Sequence, residues 1–243
     1  MNFKVTHQQL KNLKKQSNLL FLDTPKLVNE ALAKSEIPLY IFVENGKQFD
    51  FLQNEKIITL TKSMILTLCD VSNHSGIVGV FQIKKKIPQK PCGNFLVLEN
   101  VQDPGNVGTL IRSAQGANFL DIYLINCATI TNPKTYRSSM GAVFSTNCCE
   151  LNFSEFETIF KTWNLPLFCA DMSGENIYKC KLPCCIGIVI GNEGNGVGKN
   201  METLCTGKIK IPMANGLESL NAGVSGSILM FEIAFGGKNV RSQ

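Results

Sequence analysis

The sequence of 243 residues has few of the groups that hold metals, with two histidines (His7 and His74) and no C-x-x-C pair among its ten cysteines. A zinc site of the usual kind needs closely spaced cysteines or histidines, so this pattern argues against a metal. Most of the cysteines lie in apolar surroundings, where a free thiol behaves as a small buried hydrophobic group. We therefore expect reduced structural thiols and no metal site.

Long apolar runs and targeting signals are also missing. The longest apolar run, Cys184 to Ile190, covers seven residues, against roughly 20 for a membrane-spanning helix. Lysines interrupt the first 18 residues and the first arginine is Arg112, so the N-terminus matches neither a secretory signal nor a transit peptide. The sequence predicts a folded protein of the cytoplasm that does not enter a membrane.

The positive charge is concentrated in the first part of the chain. Residues 1–90 carry 13 lysines, no arginine and seven acidic residues, a net charge of +6, whereas residues 91–243 carry −1. A basic half is typical of a surface that meets a polyanion, although a solvated lysine-rich surface explains the charge equally well. Lysines and two prolines between positions 84 and 91 indicate a linker. We predict two domains, 1–88 and 93–243.

Helical patterns and short apolar runs alternate in both domains. Residues 6–35 have a helical pattern, and the apolar runs 39–43, 56–60 and 76–81 follow, which predicts a small α/β domain. The second domain is predicted to contain the strands 95–98, 121–125, 167–170, 186–190 and 208–211 and the helices 106–117 and 221–235. This alternation favours an α/β fold with a mostly parallel sheet covered by helices.

The loop after the first strand of the second domain opens a helix, so its free backbone N–H groups face whatever binds there. Asn106 is the predicted N-cap of that helix. Arg112 lies off the apolar stripe and is expected to lean back over Gly108 toward Asn106. A surface arginine on an ordinary helix is the alternative reading.

Two further loops join a strand to a helix. Four glycines within residues 191–198 let a ligand approach the backbone closely, and Glu193 lies among them, although the loop matches neither GxxxxGK[ST] nor GxGxxG. The loop 211–221 offers Ser219 and Asn221 as helix caps. Because all three loops follow parallel strands, they are expected to meet at the carboxyl edge of the sheet, where such folds bind ligands.

The polar residues of these loops exclude several chemistries. The candidate residues pooled from the three loops include no histidine, no Cys/His pair and no carboxylate pair, so nucleophilic catalysis and metal-dependent hydrolysis are not expected. A site that binds and orients two partners remains, as group transfer requires. Its candidate residues are Asn106, Arg112, Glu193, Ser219 and Asn221.

Three motifs in these loops resemble those of the SpoU/TrmH family, the RNA ribose 2′-O-methyltransferases of the SPOUT superfamily. They are NVQDPGNVGTLIR at 100–112, GNEGNG at 191–196, and IPM at 211–213 followed by SLN at 219–221. Their order and spacing agree with the family over about residues 94–235. Any one of these motifs is weak evidence for the family, whereas three motifs in the same order and spacing are strong evidence.

The resemblance implies a SPOUT fold with a C-terminal trefoil knot, a homodimer with the site at the subunit interface, and S-adenosyl-L-methionine as cofactor. It implies cofactor contacts at Gly191, Ile211 and Leu220, and catalytic roles for Asn106, Arg112, Glu193, Ser219 and Asn221. The implied reaction is attack of a ribose 2′-hydroxyl on the sulfonium methyl, in ribosomal RNA of the 23S type first and transfer RNA second. A guanidinium has a pKa above about 12, so we expect Arg112 to hold phosphate and ribose and to stabilise the nascent alkoxide. Glu193 is expected to orient Asn106 or Arg112.

Residues 1–88 resemble, more loosely, the ribosomal-protein-L30e-like substrate-binding domain that often precedes this catalytic unit. The stretch NHSGIVGV at 73–80 fits the last part of that domain. Where the family commonly has Phe-x-x-Glu-Gly, this chain has FLDTP at 21–25. The resemblance therefore implies RNA binding by this domain without naming the RNA.

Two alternatives remain open. A Rossmann-type nucleotide enzyme built around residues 186–198 would need an acidic residue about 20 positions further on, where the chain has Lys210, Ile211 and Pro212. A non-catalytic RNA-binding protein that retained the SPOUT fold would not be stabilised by S-adenosylmethionine, whereas an enzyme that binds it when folded would be.

Overall fold

The computed structural model describes residues 5–34, 36–52, 56–69, 74–83, 86–217 and 219–236. The chain divides into two compact units, residues 1–84 and 85–243. Of the predicted linker, Lys84 and Lys85 lie outside the described residues.

The described part of the first unit is an α/β arrangement. Its elements in chain order are α1 (His7–Lys14), β1 (Leu19–Leu22), α2 (Pro25–Ala33), β2 (Pro38–Glu44), β3 (Ile57–Leu60), α3 (Lys62–Leu68) and β4 (Ile77–Gln82). The strands form one sheet in the order β1-β4-β2-β3. β4 runs antiparallel to β1 and β2, and β2 pairs in parallel with β3. The three apolar runs predicted as strands form β2, β3 and β4.

The continuous helical pattern predicted over residues 6–35 is wrong, because β1 interrupts it. All four residues of β1 are buried and pair with β4. Each flanking helix has its own side-chain cap, from Thr6 for α1 and from Thr24 for α2, and such caps fix where a helix begins. The L30e-like character of this unit stays a prediction, and Asn73 of the NHSGIVGV stretch lies outside the described residues.

The second unit is a six-stranded α/β sheet. Its elements are β5 (Phe95–Glu99), α4 (Pro104–Gly116), β6 (Asp121–Ile125), α5 (Pro133–Ser139), α6 (Ala142–Ser145), β7 (Asn147–Leu151), α7 (Phe153–Trp163), β8 (Leu167–Asn176), β9 (Gly187–Ile190), α8 (Lys199–Glu202), β10 (Gly207–Lys210) and α9 (Ala222–Phe231), which continues as a π-helical turn, Glu232–Gly236. The strand order is β10-β8-β9-β5-β6-β7. Every neighbouring pair is parallel, which confirms the predicted parallel sheet.

The central strands of this sheet are buried on both faces, as continuous apolar runs in parallel sheets usually are. Every residue of β5 and β9 is buried. Aromatic rings from β5, β6 and α7 form the core on one face: Phe95, Tyr123, Phe156, Phe160 and Trp163. The sequence pattern missed β7, because Asn147 and Glu150 interrupt its apolar run while Cys148 and Cys149 fill the core.

Helix α4 is held between α5 and α9 by close packing of small residues. A Cβ added at Gly108 would lie 2.3 Å from the carbonyl oxygen of Thr135 on α5, and one added at Gly226 of α9 would lie 2.3 Å from Leu110 Cδ2. Ser227 on α9 donates a hydrogen bond to Ser113 on α4 over 2.7 Å. The position of α4 is therefore fixed from two sides. The trefoil knot implied by the resemblance stays a prediction.

All ten cysteines are free thiols. Burial raises the pKa of Cys148 to about 12 and that of Cys149 to about 11, so both thiols stay protonated and serve packing. Across the described residues, no group of three or more His, Cys, Asp or Glu side chains could hold a metal ion. None of the helices in this part of the chain is both long and apolar enough to cross a membrane.

Candidate active site

The three loops singled out in the sequence meet at the carboxyl edge of the sheet in the second unit. β5 and β9 are adjacent parallel strands, with Leu98 opposite Ile190 at their ends. The β5–α4 loop and the residues 191–198 after β9, called the Gly-rich loop below, therefore leave the sheet side by side. The loop after β10 returns to the same edge where α9 begins.

Helix α4 begins at Pro104, and its N-cap is Asp103. Asp103 Oδ1 accepts hydrogen bonds from the backbone N–H groups of Gly105 (2.6 Å) and Asn106 (3.0 Å). The prediction of Asn106 as N-cap is therefore wrong: an aspartate followed by proline is the stronger helix-start signal, since proline suits the first helical position. The Lys134 ammonium, 2.8 Å from Asp103 Oδ2, and these N–H groups lower the pKa of Asp103.

Because Asp103 caps the helix, the Asn106 side chain is free to join the other two loops. Asn106 Nδ2 donates to Glu193 Oε1 over 2.9 Å, and Asn106 Oδ1 accepts from Asn221 Nδ2 over 3.0 Å. Asn221 is the N-cap of α9, since its Oδ1 accepts from the N–H groups of Gly223 and Val224. One residue from each loop thus forms a chain of hydrogen bonds, called the Asn106 network below.

Glu193 is held in its ionised form by the groups around it. Partial burial raises its pKa, but hydrogen bonds from the Asn106 side chain and from the backbone N–H groups of Asp103 and Gln102 outweigh this effect, and the net pKa is lowered. The two backbone donors lie 3.3 Å and 3.5 Å from the carboxylate. A carboxylate with a lowered pKa is a weak proton acceptor. Its position favours orienting Asn106 over removing a proton.

The Gly-rich loop has a rigid internal structure. Asn192 and Gly196 exchange backbone hydrogen bonds, and Asn192 Oδ1 accepts from the N–H groups of Gly194 and Asn195 over 3.0 and 3.1 Å. A Cβ at Gly191 would lie 2.3 Å from the backbone carbonyl group of Gly196, so only glycine fits there. The glycine at 191 is thus required by the loop itself.

A cavity of about 460 Å³ opens beside the Asn106 network, a size typical of small-ligand sites. The predicted cofactor residues Gly191, Ile211 and Leu220 line it. Three of the predicted catalytic residues also line it, Glu193, Ser219 and Asn221. The structure thus brings Asn106 and these residues to one place, although Ser219 caps no helix.

Arg112 is the predicted site residue that the structure does not bring to the others. Its side chain is exposed, does not line the cavity and has no hydrogen bond or ion pair with any described residue. Its expected approach to Asn106 is not seen. Arg112 lies one helical turn from Thr109 and Gly116, two residues that face Gly223 and Phe231 of α9. It therefore points to solvent beside the contact between α4 and α9.

Sequence reasoning missed part of the cavity wall. Ala170, Asp171 and Met172 of β8 contribute to it, because β8 extends to Asn176, six residues beyond the predicted strand end at residue 170. The residues from Asp171 onward include polar ones that interrupt the apolar run, so the pattern does not predict that the strand continues. These residues also belong to no recognised motif. The Asp103–Pro104 pair, in contrast, carries a recognisable helix-start signal.

Comparisons with known proteins find relatives that are named as 23S rRNA methyltransferases. The chain is 29% identical over 183 residues to the 23S rRNA (guanosine-2′-O-)-methyltransferase RlmB of Vibrio parahaemolyticus, covering 66% of this chain and 70% of that protein. It is 26% identical over 219 residues to the 23S rRNA (guanosine(2553)-2′-O)-methyltransferase RlmP of Bacillus subtilis, covering 87% and 83%.

A solved structure and a family model extend the comparison. The SpoU methyltransferase AviRb from Streptomyces viridochromogenes, in complex with AdoMet, has the same fold, with a TM-score of 0.85 at 18% identity and coverage of 98% of both chains. The model of the SpoU rRNA Methylase family matches residues 93–231, which is more than half of the chain. The resemblance stated from the three motifs is confirmed, and the chain belongs to the SpoU rRNA Methylase family.

Proposed function

We propose that this chain transfers a methyl group from S-adenosylmethionine to a ribose 2′-hydroxyl of RNA. The observation that carries the proposal is the Asn106 network at the wall of a ligand-sized cavity, built from all three family motifs. The relatives RlmB and RlmP are named for 2′-O-methylation of guanosine in 23S rRNA. Ribosomal RNA of the 23S type is accordingly the first substrate to test and transfer RNA the second. Membership of the family excludes the Rossmann-type alternative.

The cavity suits S-adenosylmethionine by the chemistry of its wall. Ile190, Ile209 and Leu229 offer apolar surface for a purine ring, and the carboxylates of Asp171 and Glu193 suit a ligand with a positive charge. Hydrogen bonds from Ser173, followed by that from Lys208, lower the pKa of Asp171 and keep it ionised. The cofactor, when bound, supplies an electrophilic methyl group. The residues of this chain hold it and orient the RNA.

Asn106 is placed to orient the target ribose. Its side-chain amide has two N–H donors and two acceptor lone pairs, of which Glu193 and Asn221 each engage one. One donor and one acceptor therefore remain for a ribose hydroxyl. Glu193, ionised and acceptor-only, keeps the Nδ2 side of the amide turned toward itself, which fixes where the remaining groups point. Ser219, exposed at the cavity wall, offers a further hydroxyl to the ligands.

A homodimer would complete this site. Arg112 is exposed and does not line the cavity of its own chain. If it binds the RNA phosphate and stabilises the nascent alkoxide, it must therefore act at the cavity of a second subunit. Beside it, Val224, Phe231 and Phe235 are 47%, 44% and 45% exposed. Burying such an apolar face against a second copy is favourable by about 25 cal/mol per Å² of apolar area. This face supports an interface along α9, with Arg112 of one subunit reaching the cavity of the other.

The first unit supplies the contact with the body of the RNA in this proposal. Residues 1–84 carry ten lysines, no arginine and seven acidic residues, a net charge of +3, which suits phosphate contacts that position a nucleic acid without reading its sequence. We propose the cytoplasm, which holds both ribosomal and transfer RNA, as the location of the enzyme.

Methyl-labelled S-adenosylmethionine tests the proposal. The purified chain is incubated with unmodified ribosomal and transfer RNA in separate reactions, and the RNA is hydrolysed with alkali. A 2′-O-methyl group blocks cleavage of the adjacent phosphodiester, so label in one alkali-resistant dinucleotide is the expected result. Label in base-methylated mononucleotides would refute ribose methylation. RNA binding without cofactor binding or methyl transfer, on assembled ribosomal particles as well as naked RNA, would establish the non-catalytic alternative.

A further inference from the structure

Glu99 is a buried carboxylate that none of the three motif roles uses. Glu99 is the last residue of β5 and is 5% exposed. No described residue forms an ion pair with its side chain. Its Oε2 accepts a hydrogen bond of 2.7 Å from the backbone N–H of Gly198. Burying an ionisable group is costly unless hydrogen bonds compensate. The presence of glutamate at this position therefore calls for a function.

Both ends of the Gly-rich loop are fastened to the end of β5. At one end, Gly198 lies directly on the Glu99 carboxylate, since a Cβ added at Gly198 would lie 3.0 Å from Glu99 Oε1 and 3.4 Å from Oε2. At the other end, Asn192 Nδ2 donates to the carbonyl oxygen of Asn100 over 2.9 Å. Glu193, which holds Asn106, lies between these two attachments.

We propose that Glu99 is a positioning residue that holds the Gly-rich loop as a wall of the cofactor cavity. The loop contains four glycines, which lose more backbone entropy on ordering than any other residue. A fixed end lowers the entropy that ligand binding must still remove. Because Gly191 to Gly196 line the cavity, loss of the attachment weakens cofactor binding first and displaces Glu193 second. This role rests on the proposed function.

Two substitutions at this position separate the attachment from the charge. In Glu99→Gln the amide oxygen still accepts the hydrogen bond from Gly198, so the cofactor Kd, measured by calorimetry with S-adenosylmethionine, stays within about twofold of the wild type. In Glu99→Ala the bond is lost, and we expect the Kd to rise about tenfold, in line with hydrogen bonds to charged groups. The KM for RNA stays unchanged in both variants.

Glu150→Ala is the matched control. Glu150 Oε1 also accepts one backbone N–H at a strand end, from Ile130 over 2.9 Å, but it lies beside β6 and does not line the cavity. The control is expected to leave the cofactor Kd unchanged. An equal loss of affinity in Glu150→Ala and Glu99→Ala would show a general loss of stability and would overturn the proposal.

Hydrogen exchange of the ligand-free protein gives a readout that needs neither cofactor nor RNA. Peptides covering residues 191–198 are expected to exchange faster in Glu99→Ala than in the wild type or Glu99→Gln, while peptides of β6 are unaffected. If Glu99→Ala does not fold, Gly198→Ala disturbs the same contact, because the added methyl group lies against the Glu99 carboxylate. The backbone φ of Gly198, −71°, suits alanine. Faster exchange of residues 191–198 is expected in this variant.

Unchanged exchange and Kd in Glu99→Ala would overturn the positioning role, as would a Glu99→Gln variant as impaired as alanine. A wild-type chain that binds no S-adenosylmethionine would instead refute the proposed function, and exchange would still test the attachment.

Discussion

Removal of the Glu193 carboxylate is the sharpest test of the Asn106 network. In Glu193→Ala, Asn106 Nδ2 loses its 2.9 Å partner and the backbone N–H groups of Asp103 and Gln102 lose theirs. Those two N–H groups lie at the exposed loop surface, where water replaces the carboxylate. The Asn106 amide then keeps only its bond to Asn221, and it can rotate away from the orientation that a bound ribose requires.

The expected magnitude follows from one charge-assisted hydrogen bond. Such bonds contribute about 1.5 to 3 kcal/mol, and the exposure of Glu193 places this one at the lower end because solvent screens it. About 1.4 kcal/mol corresponds to a factor of ten in rate. We therefore expect kcat to fall about 10- to 30-fold in Glu193→Ala. Glu193→Gln retains one acceptor oxygen but turns an amide toward backbone donors, so an intermediate loss is expected.

Single-turnover transfer of labelled methyl to RNA measures this effect apart from product release. The matched control is Glu157→Ala on α7, whose 2.9 Å bond to Lys161 lies on an exposed helix face; its rate should equal that of the wild type. Because Glu193 and Asn106 act as one unit, the double variant Asn106→Ala/Glu193→Ala should be no slower than the slower single variant. Fully additive losses, or a Glu193→Ala rate within twofold of the wild type, would refute the network.

Four further outcomes are expected. Asp103→Ala should lower the free energy of unfolding in urea by about 1 kcal/mol through loss of the N-cap, whereas Asp103→Asn keeps a capping oxygen and should lose less, because only the ion pair with Lys134 is removed. Arg112→Ala should leave the calorimetric cofactor Kd unchanged and slow methyl transfer about 100-fold, the usual effect of losing one group that stabilises an oxyanion; near-normal transfer would remove its central role. Phe231→Asp in α9 should give monomers in sedimentation, whereas Tyr178→Asp, at a position 53% exposed in the turn after β8, should not. Folding lowers the pKa values of Asp103 and Glu193. The ionised side chains therefore stabilise the folded state above their unfolded pKa values near 4, and this stabilisation is lost as the pH falls through their folded pKa values. The double variant Asp103→Asn/Glu193→Gln should lose less free energy of unfolding over this acidic range than the wild type.

The sequence predicted the central strands of the second unit because they are continuous apolar runs, whereas β7 and the helices α5 to α8 were not predicted. β5, β6 and β9 lie within one residue of their predicted bounds, since burial on both faces leaves no polar position to interrupt the pattern. β7 and the outer half of β8 lie toward the edges of the sheet and carry polar residues, so their pattern resembles a loop. In the first unit, β1 has only four residues between two helices, and such a short continuous apolar run cannot be told from a buried helix segment by its periodicity.

The sequence brought forward Asn106, Glu193, Ser219 and Asn221, which the structure places together, but it did not predict their hydrogen bonds or the separate position of Arg112. Asn106, Glu193 and Asn221 come from separate loops, and the sequence pooled them through the motifs and the expectation that parallel strands end at one edge. Which of them bond to each other depends on capping, a local competition for backbone N–H groups. The prediction of Asn106 as the helix cap directed its side chain to the backbone of α4 and not to Glu193. Nothing in the sequence indicated that Asn221, while capping α9, would also donate its Nδ2 group to Asn106.

Helix capping also explains why two asparagines can serve this site. The side-chain oxygen of a cap residue accepts hydrogen bonds from helix N–H groups, as that of Asp103 does for α4 and that of Asn221 for α9. Aspartate has no donor left to offer, whereas asparagine keeps its Nδ2 group, and that group of Asn221 reaches Asn106 Oδ1. Asn221→Asp would keep the cap and set a carboxylate against the Asn106 oxygen, so the Asn106 amide could no longer form a hydrogen bond with residue 221 without giving up its bond to Glu193. The free energy of unfolding should then be nearly unchanged while methyl transfer falls, and a variant with normal transfer would show that the orientation of Asn106 does not matter.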